Sequence, residues 1–362
     1  MEIYFLVMGL IVALGFGVEL SKQNHWEGRL LLPKREIRVS VSFLFWCLIF
    51  AVFLLFGGLR YRVGTDFESY CTIFENICKD WDNVLYEGTE RGYVWLNRIL
   101  SLYTSNPQWL IFVTNALICV FGLTCILKFS RFVPISLYLF YTTIYYQGFN
   151  LIRQGMACAI VLLAFGYARQ RRLCTSLLFI LAASLFHRTA LIVLPVLVLM
   201  LFPYSQAVYF LYLAMASLAF FLREQINGFL LRFYPSAANT SDTYLYEEFS
   251  PVQVILCLIY VILCFLYYKK LLERDRRNIL YINLSVLLLG LYACFYWIPM
   301  WGRLQLYFIC FYALILPEVI SCEESRVLRV LYYAVIWGIM LFFYMVPVLT
   351  SGSGFWEYQM IA

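Results

Sequence analysis

Apolar runs of about twenty residues follow one another along the chain, near 3–20, 39–59, 107–127, 132–148, 151–168, 206–222, 252–268, 279–298, 303–320 and 327–349. At ~1.5 Å per residue each makes a helix long enough for a ~30 Å hydrocarbon core, where a helix satisfies its own backbone groups. The sequence therefore predicts an all-α polytopic integral membrane protein, with residues 1–362 forming a single transmembrane domain. Composition agrees: 63% of the 362 residues are hydrophobic and 13% charged, against roughly 45–50% and about 25% in soluble domains. The mean hydropathy is +0.79. The first run lacks the basic leader and small-residue cleavage site of a signal peptide and reads as a transmembrane helix. Most of the twelve cysteines fall inside apolar runs, as small hydrophobes. Cys71 and Cys78 share a predicted outside loop, but on a helix seven positions separate them by about 10 Å, too far for a disulfide.

Residues 173–202 are ambiguous, because one straight helix of that length would be about 45 Å long and His187-Arg188 interrupt its middle. Lys and Arg in short loops accumulate on the cytoplasmic side, and that rule arbitrates. If the segment folds back at His187-Arg188, the basic clusters at 22–38, 128–131, 169–172, 269–277 and 326–329 share one side and hold most of the 27 Lys and Arg residues. A single pass would place the last two clusters opposite the first three. The two-pass reading gives about twelve transmembrane segments, both termini outside, and two outside loops near 60–105 and 224–250. Both loops are rich in Tyr, Trp, Asp, Glu and Asn. The stretch Tyr93–Tyr103 has a helical apolar rhythm but is too short to span, and is expected to lie in the interface.

Five arginines escape the cytoplasmic clusters without lying in loops. Arg60 and Arg62 close the second run, Arg153 opens the fifth, Arg188 sits at the fold in "SLFHRTALI", and Arg303 begins the run "RLQLYF". The topology, set without them, brings all five to the outer boundary, against the positive-inside trend. Arginine at membrane depth costs about 2.5–3.5 kcal/mol at mid-helix and less near the interface, so such a group marks a functional site. A guanidinium fork binds phosphate oxygens bidentately and does not deprotonate, which suits a phosphate or pyrophosphate at headgroup depth. His187 is one of two histidines; beside Arg188 it should resist a second proton and serve as a general base. Asp66 and Glu68 follow the first arginines and supply a carboxylate that either orients them or takes a proton. Asp80-Trp81-Asp82 has the aspartate spacing of metal-dependent sugar transferases, but hard metals want more oxygen ligands, and no metal site is assigned. No nucleotide loop, dinucleotide fingerprint, histidine-pair motif or nucleophile elbow appears, and no basic patch suggests nucleic acid.

With those residues placed, the chain resembles the EpsG family of bacterial polysaccharide polymerases, relatives of the Wzy O-antigen polymerases. The resemblance rests on "GLRYRVGTDFESY" (58–70), "ERGYVWLNRIL" (90–100), "NLIRQGMACAIVLLAFGYA" (150–168), "LFHRTALIVLP" (185–195) and "RLQLYF" (303–308), in the family's order. Arg188 departs from the pattern, where a small or polar residue would be expected. The resemblance implies a GT-C-like general character and a multi-pass protein of the bacterial inner membrane with its site facing the periplasm. It implies transfer of a growing surface glycan, O-antigen or similar, from undecaprenyl pyrophosphate to the terminal sugar of another lipid-linked repeat unit, without metal, nucleotide or other cofactor. His187 and then Asp66 would be the catalytic base. Arg60, Arg62, Arg153, Arg188 and Arg303 would hold pyrophosphate, and Thr65, Tyr70, Glu90, Asn150, Gln154 and Tyr307 would contact substrate. Lipid-linked repeat units, membrane lipids and a chain-length regulator protein are the expected partners. A transporter or flippase of an anionic lipid-linked oligosaccharide, and an O-antigen ligase, are the alternatives.

The topology has a direct test. Alkaline phosphatase fused after residues 105 or 250 should be active, and fused after 130, 172 or 277 inactive; a single pass at 173–202 would reverse the signals at 250 and 277.

Overall fold

The computed structural model describes residues 2–32, 35–82, 89–233, 251–297, 301–349, 354 and 357–361. Helix α1 (Glu2–Gln23) leads into a two-stranded antiparallel hairpin, β1 (Glu27–Leu32) and β2 (Arg35–Ser40), with Glu27 opposite Ser40. The hairpin is a local interruption of an all-α architecture: polar and apolar residues alternate through Ile37-Arg38-Val39-Ser40, the period of a strand rather than a helix. After α2 (Val41–Gly58), two short helices, α3 (Phe67–Lys79) and α4 (Arg91–Ser101), occupy the first expected outside loop. Next come α5 (Gln108–Phe129), α6 (Val133–Phe140) continuing into a π turn at Tyr141–Tyr145, and α7 (Ile152–Arg169).

A broken segment follows: α8 (Leu173–Ser184), a 3-10 turn at Arg188–Ile192, and α9 (Val193–Met200). The chain continues with α10 (Gln206–Phe221), α11 (Arg223–Phe233), α12 (Pro251–Leu266) and α13 (Tyr268–Arg274). It finishes with α14 (Ile279–Cys294), α15 (Trp301–Ile309), α16 (Tyr312–Ile320) and α17 (Arg326–Leu349). The remainder of the second expected loop, 234–250, lies outside the described residues.

This is a predominantly helical, polytopic membrane protein. Among the described residues, five helices are long and apolar enough to cross a membrane, or seven if the pairs α10/α11 and α12/α13, bent by 77° and 66°, each count as one. The expected twelve segments include runs shorter than those this count admits. Many apolar segments are short or interrupted: Val133–Tyr145, Leu173–Ser184 and Arg188–Met200 are apolar helices of 10–17 residues. Large side chains such as Leu6, Phe43, Leu178, Phe210, Met215 and Val330 face outward, as expected where the solvent is lipid.

Helix α7 is the inverse case, buried along almost its whole length. Its small residues allow close backbone approach: a Cβ on Gly155 would stand 2.8 Å from the Gly148 Cα. At its sides, Asn115 of α5 donates to the Phe53 and Leu54 carbonyls of α2 at 3.2 Å, and the Tyr145 hydroxyl donates to the same Phe53 carbonyl. These bonds pair polar groups that would be costly to leave unmet in a dry interior.

The contacts sort the chain into two ends. At one, Glu19 accepts from the Val133 N–H at 3.1 Å, Arg169 donates to Asn278 at 2.9 Å, and Lys270 pairs with Glu324 at 2.8 Å. The Arg171 guanidinium donates to the Leu201 carbonyl at 3.0 Å. That bond joins the start of α8 to the end of α9, so 173–201 is a helical hairpin with His187 at its tip, as the charge pattern required. At ~1.5 Å per residue the twelve residues of α8 reach only about 18 Å from the basic end, so the tip stops short of the far side of a ~30 Å core.

At the opposite end the carboxyl-terminal strand-like segment pairs with the loop after α2. Ile361 donates to Leu59, Tyr61 to Gln359 and Gly64 to Gly354, each at 2.9 Å. Tyr358 stacks on Phe56 with centroids 4.6 Å apart and packs edge-on against Tyr4, and its hydroxyl donates to the Phe56 carbonyl. Tyr358→Ala is expected to lower stability by about 1–2 kcal/mol, measured by thermal unfolding of the purified protein, while Tyr358→Phe should recover most of the loss.

Candidate functional site

The hairpin tip, the start of α7, the start of α15 and the α3–α4 loop converge at the end opposite the basic clusters. Gly92 in the first turn of α4 donates its N–H to the Leu185 carbonyl at 2.9 Å, and a Cβ there would meet that same carbonyl oxygen at 2.7 Å. This close approach sets the residue just before α4, Glu90, against the tip. One carboxylate oxygen of Glu90 accepts from Arg153 at 2.6 Å and the other lies 2.8 Å from the His187 Nδ1. The latter oxygen also accepts the Arg188 backbone N–H at 3.3 Å. Glu90 is 6% exposed, and both of its oxygens are engaged by protein.

An ionised Glu90 is met by a proton on the His187 Nδ1, and in the neutral tautomer of that kind the ring's lone pair is on Nε2. Burial opposes charge on Glu90, but the hydrogen bond from His187 and the nearby Arg153 outweigh it and draw the carboxyl down to about 2. Besides its neighbour Arg188, the ring thus has an anionic partner in direct contact.

The chain of contacts extends on both sides. The Tyr70 hydroxyl hydrogen-bonds the Arg153 side chain, and Asp66 lies close enough to act on Tyr70 electrostatically. Gln154 donates to the Arg303 carbonyl, so the start of α7 is fastened to α15, and the Tyr307 hydroxyl lies 3.2 Å from the Thr189 Oγ1 of the hairpin. Arg303 is exposed. Thr65 donates its N–H to Asn150 Oδ1 at 2.8 Å, and its hydroxyl lies 3.4 Å from Asp66. Thr65 and Asn150 thus anchor the loop next to the site.

The first two arginines part company. Arg62 takes a left-handed backbone, φ 53°, and stands exposed with its Nε 2.8 Å from Glu68. Arg60 is 1% exposed; it donates to the Gly57 carbonyl at 2.6 Å and its guanidinium lies 4.4 Å over the Phe149 ring. In this structure Arg60 faces the protein interior, not an anion cleft. Asp80-Trp81-Asp82 forms a turn held by Arg98, which donates to the Trp81 carbonyl at 2.7 Å, and among the described residues no group of three His, Cys, Asp or Glu is placed to hold a metal. Cys71 and Cys78 both lie on α3 as free thiols.

The sequence model of the EpsG family matches residues 43–360. The chain belongs to the EpsG family. Membership marks it as a polysaccharide-polymerase-like membrane protein, and the matched span carries every candidate site residue. No curated protein and no solved structure matches it significantly. In this EpsG-family chain the missed feature is the bridging role of Glu90, which its position before an arginine and a helix start did not reveal.

Because the folded Glu90 carboxyl sits below its ordinary value of about 4.3, the stability its ionisation supplies is fully present above that value. It is lost as pH falls toward 2. Wild-type unfolding temperature should therefore be insensitive to Glu90 between pH 5 and 8 and drop below about pH 4.5. Glu90→Gln should be less stable at neutral pH, with a smaller part of that acid dependence, as read by thermal unfolding across pH.

Proposed function

We propose that this EpsG-family protein is a glycan polymerase. It moves a growing chain from undecaprenyl pyrophosphate onto the terminal sugar of a second lipid-linked repeat unit, at the periplasmic face of a bacterial inner membrane. The observation that carries the reading is the Glu90 carboxylate, which fixes an arginine at 2.6 Å and a histidine at 2.8 Å at one edge of a membrane-embedded bundle. The basic clusters gather at the other end, which supports placing this site outside by the positive-inside rule. About twelve passes, counting the short hairpin arms, accommodate that orientation.

In the reaction His187 Nε2 accepts the proton of the acceptor hydroxyl as its oxygen attacks the anomeric carbon of the donor. The bond from that carbon to the pyrophosphate oxygen breaks, and undecaprenyl pyrophosphate leaves with the electron pair. Glu90 stabilises the imidazolium that forms and holds the ring in register. Arg153, with Arg303 and Arg62 at the rim, offsets the charge developing on the departing oxygen. Arg188 flanks the base, and Arg60 supports the loop that carries Arg62. Donor and acceptor held in one cleft react with part of the entropic cost already met. No cofactor is assigned; membrane lipid and a chain-length regulator are the proposed partners besides the repeat units.

Purified protein supplied with lipid-linked repeat units should lengthen the glycan without any ion gradient. His187→Ala should slow elongation by about 10²–10⁴-fold, and Arg153→Ala should abolish long chains at normal expression. Asp66→Asn should stay within about tenfold of wild type, because a loss as deep as that of His187→Ala would make Asp66 the base. Translocation without elongation would establish a flippase instead, and transfer only onto a lipid A core acceptor a ligase.

A further inference from the structure

A cavity of about 250 Å³ lies across α15 from the arginine and histidine groups. Thr142 and Thr143 of the π turn, Gln147 just beyond it, Gln253 of α12, Gln305 of α15 and Tyr312 of α16 supply its polar wall, and among the described residues no charged side chain lines it. Interior cavities with apolar walls stay dry, whereas polar ones hold water or a polar ligand. The two threonine hydroxyls donate back into their own helix, Thr142 to the Tyr138 carbonyl at 2.9 Å and Thr143 to the Leu139 carbonyl at 2.6 Å. Each oxygen keeps its lone pairs as acceptors. Glutamine amides present both donors and acceptors, the mixture that recognises a ring of neutral hydroxyls. A π turn at Tyr141–Tyr145 is itself a feature that recurs at functional sites, since it widens the helix locally.

A void of about 10 Å³ adjoins the cavity, sharing Thr143, Gln147 and Leu306 with it and bordered by Leu151 and Gly155 near the start of α7. Gln305 stands two residues from both Arg303 and Tyr307.

We infer that this cavity is a subsite for an uncharged pyranose of the lipid-linked substrate, an assignment of biological ligand that rests on the polymerase reading. Its volume lies below the ~300–1,000 Å³ of sites for drug-sized ligands, which suits one or two sugar rings. A uronic acid is disfavoured, because among the described residues of the wall its carboxylate would meet no cation.

The test uses full-length protein in lipid nanodiscs free of glycosidic detergent. Saturation-transfer NMR is recorded with the methyl glycosides of glucose, galactose and N-acetylglucosamine, and with methyl glucuronoside. At least one neutral glycoside should bind, and binding should weaken by at least about fivefold in Gln305→Leu while Lys270→Ala, in an exposed pair with Glu324, leaves it unchanged. Methyl glucuronoside should give no signal. Gln253→Leu, on another wall, serves if Gln305→Leu does not fold. Absence of binding by every neutral glycoside, binding that survives both leucine substitutions, loss in Lys270→Ala, or equal binding of the glucuronoside would each overturn the subsite. Should the protein fail to elongate lipid-linked units yet bind a neutral glycoside in this pattern, the polymerase reading falls and the subsite stands.

Discussion

A buried carboxylate accepts hydrogen bonds and offers none, so Glu90 is tolerable at 6% exposure because donors surround it. Arg153, His187 and the Arg188 N–H supply them from two separate stretches of chain. Burying a charge away from its partner costs several kcal/mol, so α7, the hairpin tip and the loop before α4 must arrive together. The close contact of Gly92 with Leu185 follows from this.

That arrangement divides labour among the arginines. Arg153 is held by a carboxylate, so its position is fixed before any ligand arrives, which is the preorganisation that electrostatic catalysis requires. Arg62 and Arg303 remain exposed at the rim. Arg60 instead braces the end of α2, between the Gly57 carbonyl and the Phe149 ring, and the carboxyl-terminal segment covers that brace through the Arg60 to Met360 bridge. Gly64, at φ 99°, completes the reversal: its N–H meets Gly354, and a side chain there would collide with Asn150. A residue with a Cβ would be strained in that conformation in any case.

Hydropathy made the membrane character legible, and charge made the fold at His187 legible, since a single pass would have scattered the lysines and arginines across both sides. The amphipathic rhythm of Tyr93–Tyr103 likewise located α4. Its outer face, with Trp95 55% and Ile99 50% exposed, fits an interfacial helix. Span number was less legible, because apolar composition does not register where a helix breaks. Arg60 and Arg62 are alike in sequence, and the left-handed turn at Arg62 sends them in different directions. Glu90 was flagged as a site residue, but nothing local to it names its partners 63 and 97 positions away.

The sequence by itself determined that this is a polytopic membrane protein with its basic loops on one side and a few chemically apt residues at the other. Those are properties of side-chain solvation, which each residue carries wherever the chain goes. Tertiary structure alone decided that Glu90 would join Arg153 to His187, that Arg60 would turn inward, and that threonines and glutamines would enclose a neutral cavity behind α15. Such pairings depend on helix breaks, left-handed turns and close backbone approaches, and these emerge when distant segments compete for the same space.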